Sequence, residues 1–121
     1  MHIDIIGVPM DLGQSRRGVD MGPSAIRYAN LREKLEGLGH VVEDKGNIEV
    51  PILETCLVTE PKLKHIDCIV PIARRVAGAV AASLQRGRFP LVLGGDHSLA
   101  LGSVRGAAKQ NRVGVIWLDA H

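Results

Sequence analysis

Apolar and polar positions along this chain alternate between two periods, and the switches mark its elements. Ile3-Asp4-Ile5-Ile6-Gly7-Val8 is short, β-branched and closed by Pro9, which predicts a strand. Ile26, Leu31, Leu35 and Leu38 then recur at helical spacing. Pro23 suits the first turn of that helix, and Gly37 and Gly39 supply its stop. His40-Val-Val-Glu-Asp44 predicts a second strand, more polar and therefore nearer a sheet edge. Between Gly46 and Lys64, around Pro51 and Pro61, the periodicity dissolves. It returns as Ile66, Ile69, Val70, Ala73, Val76, Ala77, Val80 and Leu84 on one helical face, with Arg74, Arg75, Gln85 and Arg86 off it. Pro71 is expected to kink this helix or move its start to about residue 70, and Gly87 to end it. Phe89–Leu93 and Val113–Leu118 are unbroken apolar runs, the pattern of strands covered on both faces. The segment from Ser98 to Arg112 fits one crossover helix between them. Strand and helix thus alternate through one α/β domain, residues 1–121, predicted as a three-layer αβα sandwich with a mainly parallel sheet.

In such a sheet the C-terminal ends of the strands share one edge, and ligands bind outside it. Two strand ends here finish in groups suited to metals: His97 after Leu91-Val-Leu-Gly-Gly-Asp96, and Asp119 and His121 after Val113-Gly-Val-Ile-Trp-Leu118. Residues two apart on a strand share a face, so Asp119 and His121 are expected to point the same way. Gly94-Gly95 lets the backbone turn off the strand, and Asp96 or Ser98 is expected to serve as N-cap of the crossover helix. Asp96 is therefore assigned a capping or supporting role rather than direct metal contact. Imidazole and carboxylate without thiolate suit Mn²⁺, Fe²⁺ or Zn²⁺, with bound water as the nucleophile. The long glycine-containing loop from Met10 to Gly22 should lie at the same edge. Its polar residues Asp11, Gln14 and Asp20 are expected to bond the loop's own backbone.

Composition narrows the partners. A net charge of +2 with acids and bases interspersed gives no basic stripe, and Tyr28, Phe89 and Trp117 are the whole aromatic set. Nucleic acid is not expected, and the pairs Arg16-Arg17 and Arg74-Arg75 are assigned to solvated faces. No stretch approaches the ~20 apolar residues of a membrane span, and no leader pattern opens the chain. The expectation is a cytoplasmic protein that binds neither membrane nor nucleic acid. Cys56 and Cys68 are expected to be reduced and structural in that compartment.

Gly94-Gly-Asp-His-Ser98 and Trp117-Leu-Asp-Ala-His121 resemble the first two metal-binding motifs of the ureohydrolases, the family of arginases and agmatinases. The opening from Gly7-Val-Pro-Met-Asp-Leu-Gly to Gly22-Pro-Ser-Ala-Ile-Arg27 is more similar to bacterial arginases. The resemblance spans nearly the whole chain and is weakest around residues 50–65. It implies a binuclear Mn²⁺ site that activates water against the guanidinium carbon of L-arginine, giving ornithine and urea. By matched position, His97 and His121 would be terminal ligands to different metals and Asp119 a bridging carboxylate. It also implies that the remaining carboxylate ligands, the substrate-binding groups and the catalytic histidine lie past His121. No catalytic residue is therefore assigned within these 121 residues. The chain is expected to be the N-terminal portion of an arginase-like enzyme, inactive alone, whose full-length form is a trimer or hexamer. Agmatinase-like specificity is the nearest alternative. A short non-catalytic α/β module that binds a metal or a partner chain is the alternative of another class.

Overall fold

Strand β1 (His2–Val8) is the axis of the molecule, buried continuously from Ile3 to Val8. In the computed structural model, which describes residues 1–110 and 112–120, it pairs in parallel with β2 (Val41–Asn47) on one side. On its other side it pairs in parallel with β3 (Phe89–Gly94), giving the order β2-β1-β3. The two-residue period of the strand divides its side chains between two cores. Ile3 and Ile5 join Val42 and Leu93 under Leu31 and Leu35. Ile6 and Val8 join Met10, Leu12, Ile69, Ile72, Val76 and Val80 on the opposite face. The predicted three-layer arrangement with a parallel sheet is therefore present, and β1 is the strand covered on both faces.

The helix expected after Pro23 is two helices, α1 (Gly22–Tyr28) and α2 (Leu31–Gly37). Asn30 breaks them apart at φ 59°, a left-handed conformation that asparagine tolerates better than most residues. The break leaves Ile26 and Leu38 exposed and only Leu31 and Leu35 against the sheet. Strand β2 is longer than expected and does occupy an edge. Arg27 fastens it to α1, with Nε and Nη2 on the two oxygens of Asp44 at 2.7 and 2.8 Å and Nη1 on Asn47 at 2.7 Å.

Helix α3 (Ile66–Gln85) carries the amphipathic stripe and runs through Pro71 without a delayed start. Ile72, Val76, Ala77, Val80 and Ser83 are its most buried residues. Near its C-terminal end, Ser83 Oγ donates to the fully buried Asp4 at 2.7 Å, and Arg88 Nε lies 3.1 Å from the other Asp4 oxygen. Helix α4 (Ala100–Ala108) crosses α3 closely because Gly102 and Gly106 face it. A Cβ at Gly102 would stand 2.6 Å from the Ala73 carbonyl, and one at Gly106 2.6 Å from that of Ala77.

Further expectations fail. Residues 112–120 form no strand, and Val113, Val115, Ile116, Trp117 and Leu118 are exposed. With no strand on its outer side among the described residues, β3 is itself an edge strand in which only Leu93 is buried and Phe89 is exposed, so the cover on both faces expected of Phe89–Leu93 is absent as well. Cys56 and Cys68, expected to be reduced, are joined in a disulfide. The segment before α3 folds back until their Cα atoms are 6.3 Å apart, within the range a disulfide spans, and this long-range approach leaves no local sequence pattern.

Candidate metal centre

The strands end together at Val8, Asn47 and Gly94, and the chain leaves β1 and β3 along paths that touch. Asp96 N–H donates to the Met10 carbonyl at 2.8 Å. The Met10 backbone occupies the space that a side chain at Gly95 would need, so the close approach requires glycine there.

This crossing positions Asp96. Its buried carboxylate accepts from Gly13 N–H at 2.8 Å and from Ser98 N–H at 2.9 Å, and it also bonds the Ser98 hydroxyl. It thereby caps the 3-10 turn His97–Leu99 that leads into α4. The capping role expected from sequence is the one observed. The bond to Gly13 has no sequence signal, since it joins residues 83 apart through a backbone donor.

His97 is the first residue of the capped turn, its side chain 60% exposed. Its Nδ1 lies 3.8 Å from Asp119 Oδ2. The Trp117 ring meets the imidazole edge-on with centroids 5.3 Å apart, and Trp117 Nε1 donates to Asp119 Oδ2 at 3.1 Å. Imidazole and carboxylate therefore converge as expected, although the run that delivers Asp119 is not a strand. His121, the third expected ligand, lies outside the described residues. Among the described residues no three His, Cys, Asp or Glu side chains gather into a metal-binding group. The donors that do meet, one imidazole and one carboxylate at the ligand-bearing edge, fit a divalent cation of the borderline class.

The loop from Met10 to Gly22 borders this edge and is held by charge more than by its own backbone. Asp11 is buried, and Arg17 Nε reaches it at 2.7 Å while Arg17 Nη1 pairs with Glu54. These two carboxylates, Glu54 first, hold the Arg17 guanidinium above its ordinary pKa. A backbone N–H bond and then Arg17 hold the Glu54 carboxyl below its own. Sequence assigns Arg17 to a solvated face because its two partners are six and 37 residues away and no local pattern joins them. Gln14 alone follows the backbone-bonding expectation, donating to the Arg16 carbonyl at 2.5 Å. Asp20 sits in the 3-10 turn Val19–Met21.

In this parallel α/β sandwich, imidazole and carboxylate stand at the carboxyl edge of the strands, where open α/β sheets bind their ligands. The arginase family model matches residues 1–121, and the chain belongs to the arginase family. It is 53% identical over 121 residues to the arginase of Bacillus caldovelox, covering 98% of this chain and 40% of that protein. With the arginase of Bacillus subtilis strain 168 the identity is 50%, again over 98% and 40%. The native crystal structure of Bacillus caldovelox arginase superposes with a TM-score of 0.91 at 53% identity, over 98% of this chain and 40% of that one. Arginase from Bacillus cereus superposes with a TM-score of 0.90 at 48% identity, over 100% and 40%. The chain thus spans about 40% of the length of the curated relatives it matches.

Proposed function

We propose that this chain supplies one half of a binuclear manganese centre in an enzyme that hydrolyses L-arginine to ornithine and urea. The observation that carries the reading is the meeting of His97 and Asp119 at 3.8 Å, in a chain that matches the arginase family along its whole length. His97 and His121 would hold different metal ions, and Asp119 would bridge them. When bound, the metals lower the pKa of water and offset charge developing on the guanidinium carbon's substituents. The chain's own contribution is positional. Asp96 fixes the turn that presents His97, Gly13 braces Asp96, and Trp117 packs against the imidazole while orienting Asp119. The similar proteins carry the name arginase, which favours arginine over agmatine as substrate. A cytoplasmic setting and a homo-oligomeric full-length form belong to the same proposal.

Three ligands do not hold two metals in hydrolytic geometry, so the 121-residue chain alone is expected to release little or no urea. The test replaces the matching stretch of Bacillus caldovelox arginase with residues 1–121 of this chain. The chimera is expected to release urea from arginine with Mn²⁺ and to lose that activity in His97→Ala. A folded, Mn²⁺-loaded chimera that leaves arginine intact would contradict the proposal.

A further inference from the structure

The Cys56–Cys68 bond joins the segment before α3 to that helix, beside a hydrogen bond from Thr59 Oγ1 to Asp67 and the packing of Leu53 on the core. Cys68 lies in the first turn of α3, whose Ile69 and Ile72 are anchored in the core. Cys56 is buried at the end of the 3-10 turn Leu53–Thr55, which carries Glu54. Glu54 pairs with Arg17, Arg17 with buried Asp11, and two residues on, Gly13 donates to Asp96 beside His97. The closed loop between the cysteines also supplies Pro61 to His65, one wall of an open cleft. Its other wall is Leu12 to Ser15 of the loop that borders the metal edge. A covalent bond in one segment therefore holds the ion pair and the cleft wall that support the other.

We propose that Cys56–Cys68 is a redox-operated clamp on the loop from Met10 to Gly22. A dithiol reductant attacks one sulfur, breaks the S–S bond and leaves as its own cyclic disulfide. The two electrons and two protons it gives up appear as the Cys56 and Cys68 thiols. Opened, residues 53–64 lose their covalent tie to α3 and are held there by the Thr59–Asp67 hydrogen bond and the packing of Leu53, so that Glu54 is less firmly fixed opposite Arg17 and the loop loses part of its outer support. In a cytoplasmic setting such bonds are those that respond to redox state rather than permanent staples. The inference goes beyond the proposed hydrolase activity, and its test reads backbone protection alone.

Amide hydrogen exchange of the 121-residue chain, measured as purified and after dithiothreitol, decides it, with thiols counted in both samples. Reduction is expected to speed exchange at least about tenfold in residues 53–64 and in residues 11–18, while β1 and α3 beyond Ile72 keep their protection. Oxidised Glu54→Gln should loosen 11–18 alone. Two free thiols in the purified, unreduced chain would overturn the proposal. So would a reduced chain with 11–18 unchanged, or a Glu54→Gln variant with 11–18 as protected as in the parent. A loss of protection throughout the sheet would also overturn it, because the bond would then support the whole fold rather than clamp one loop.

Discussion

Asp96 carries more of the site's architecture than His97, the residue it presents. One carboxylate caps the 97–99 turn and satisfies the Gly13 N–H, so Asp96→Ala removes a cap and strands a backbone donor. A loss of about 2 kcal/mol is expected in urea unfolding, at the upper end for a single cap. A loss within error would mean that the loop and the turn hold without it. Asp44 offers a second test, through pH. Its hydrogen bond with Arg27 holds its carboxyl below the ordinary value of 3.8, against the opposing effect of partial burial. A depressed folded-state pKa contributes stability that is present above the unfolded value and lost as pH falls through the folded one. The stability gap between the parent and Asp44→Asn is therefore expected at neutral pH and should close as pH falls below 3.8 and through the depressed folded-state value. A gap unchanged over that range would mean that the ion pair with Arg27 does not stabilise the fold. The role of Asp96 is legible in sequence because a carboxylate two residues before Ser98, at a strand-to-helix turn, has an obvious local donor. Arg17 is not legible, because its partners Asp11 and Glu54 come together only through the fold.

Elements are legible where a period is long and unbroken. Helix α3 shows its stripe over twenty residues, and burial of that stripe outweighs Pro71, which costs one backbone bond inside a long helix. The segment after Pro23 misleads because four leucines and isoleucines keep helical spacing across Asn30, where the backbone turns left-handed and restarts. Glycine shows the same difference between pattern and packing. Gly78 of α3 has nothing within 4 Å of where a Cβ would stand, whereas Gly102 of α4 lies against the Ala73 carbonyl and Val76. Gly78→Ala is expected to stabilise by about 0.5–1 kcal/mol through helix propensity. Gly102→Ala should instead destabilise by about 1–3 kcal/mol, because overpacking at the α3–α4 crossing exceeds the same propensity gain. Thermal or urea unfolding of the two variants checks both signs. Two effects of the same sign would contradict the crossing.

At the scale of the whole molecule, the sandwich is built around β1, and both cores meet it there. The alternation of strand and helix is enough to predict that architecture. It is not enough to predict residues 112–120, whose apolar run has the composition of a central strand and the exposure of a surface segment, with Ile116 at 89% and Leu118 at 91%. Composition reports what a segment could bury, and the structure reports what it meets. Even so, the segment brings Asp119 to His97, so the placement of this pair does not depend on a fourth strand. Manganese binding by the chimera that carries residues 1–121 in place of the matching stretch of Bacillus caldovelox arginase, monitored by the loss of the free-ion electron paramagnetic signal, tests the proposed centre most directly. Saturable binding is expected, weakened at least about tenfold by each of His97→Ala, Asp119→Asn and His121→Ala, as befits the loss of a direct ligand. Binding that survives all three substitutions together, or no saturable binding at all, would contradict it.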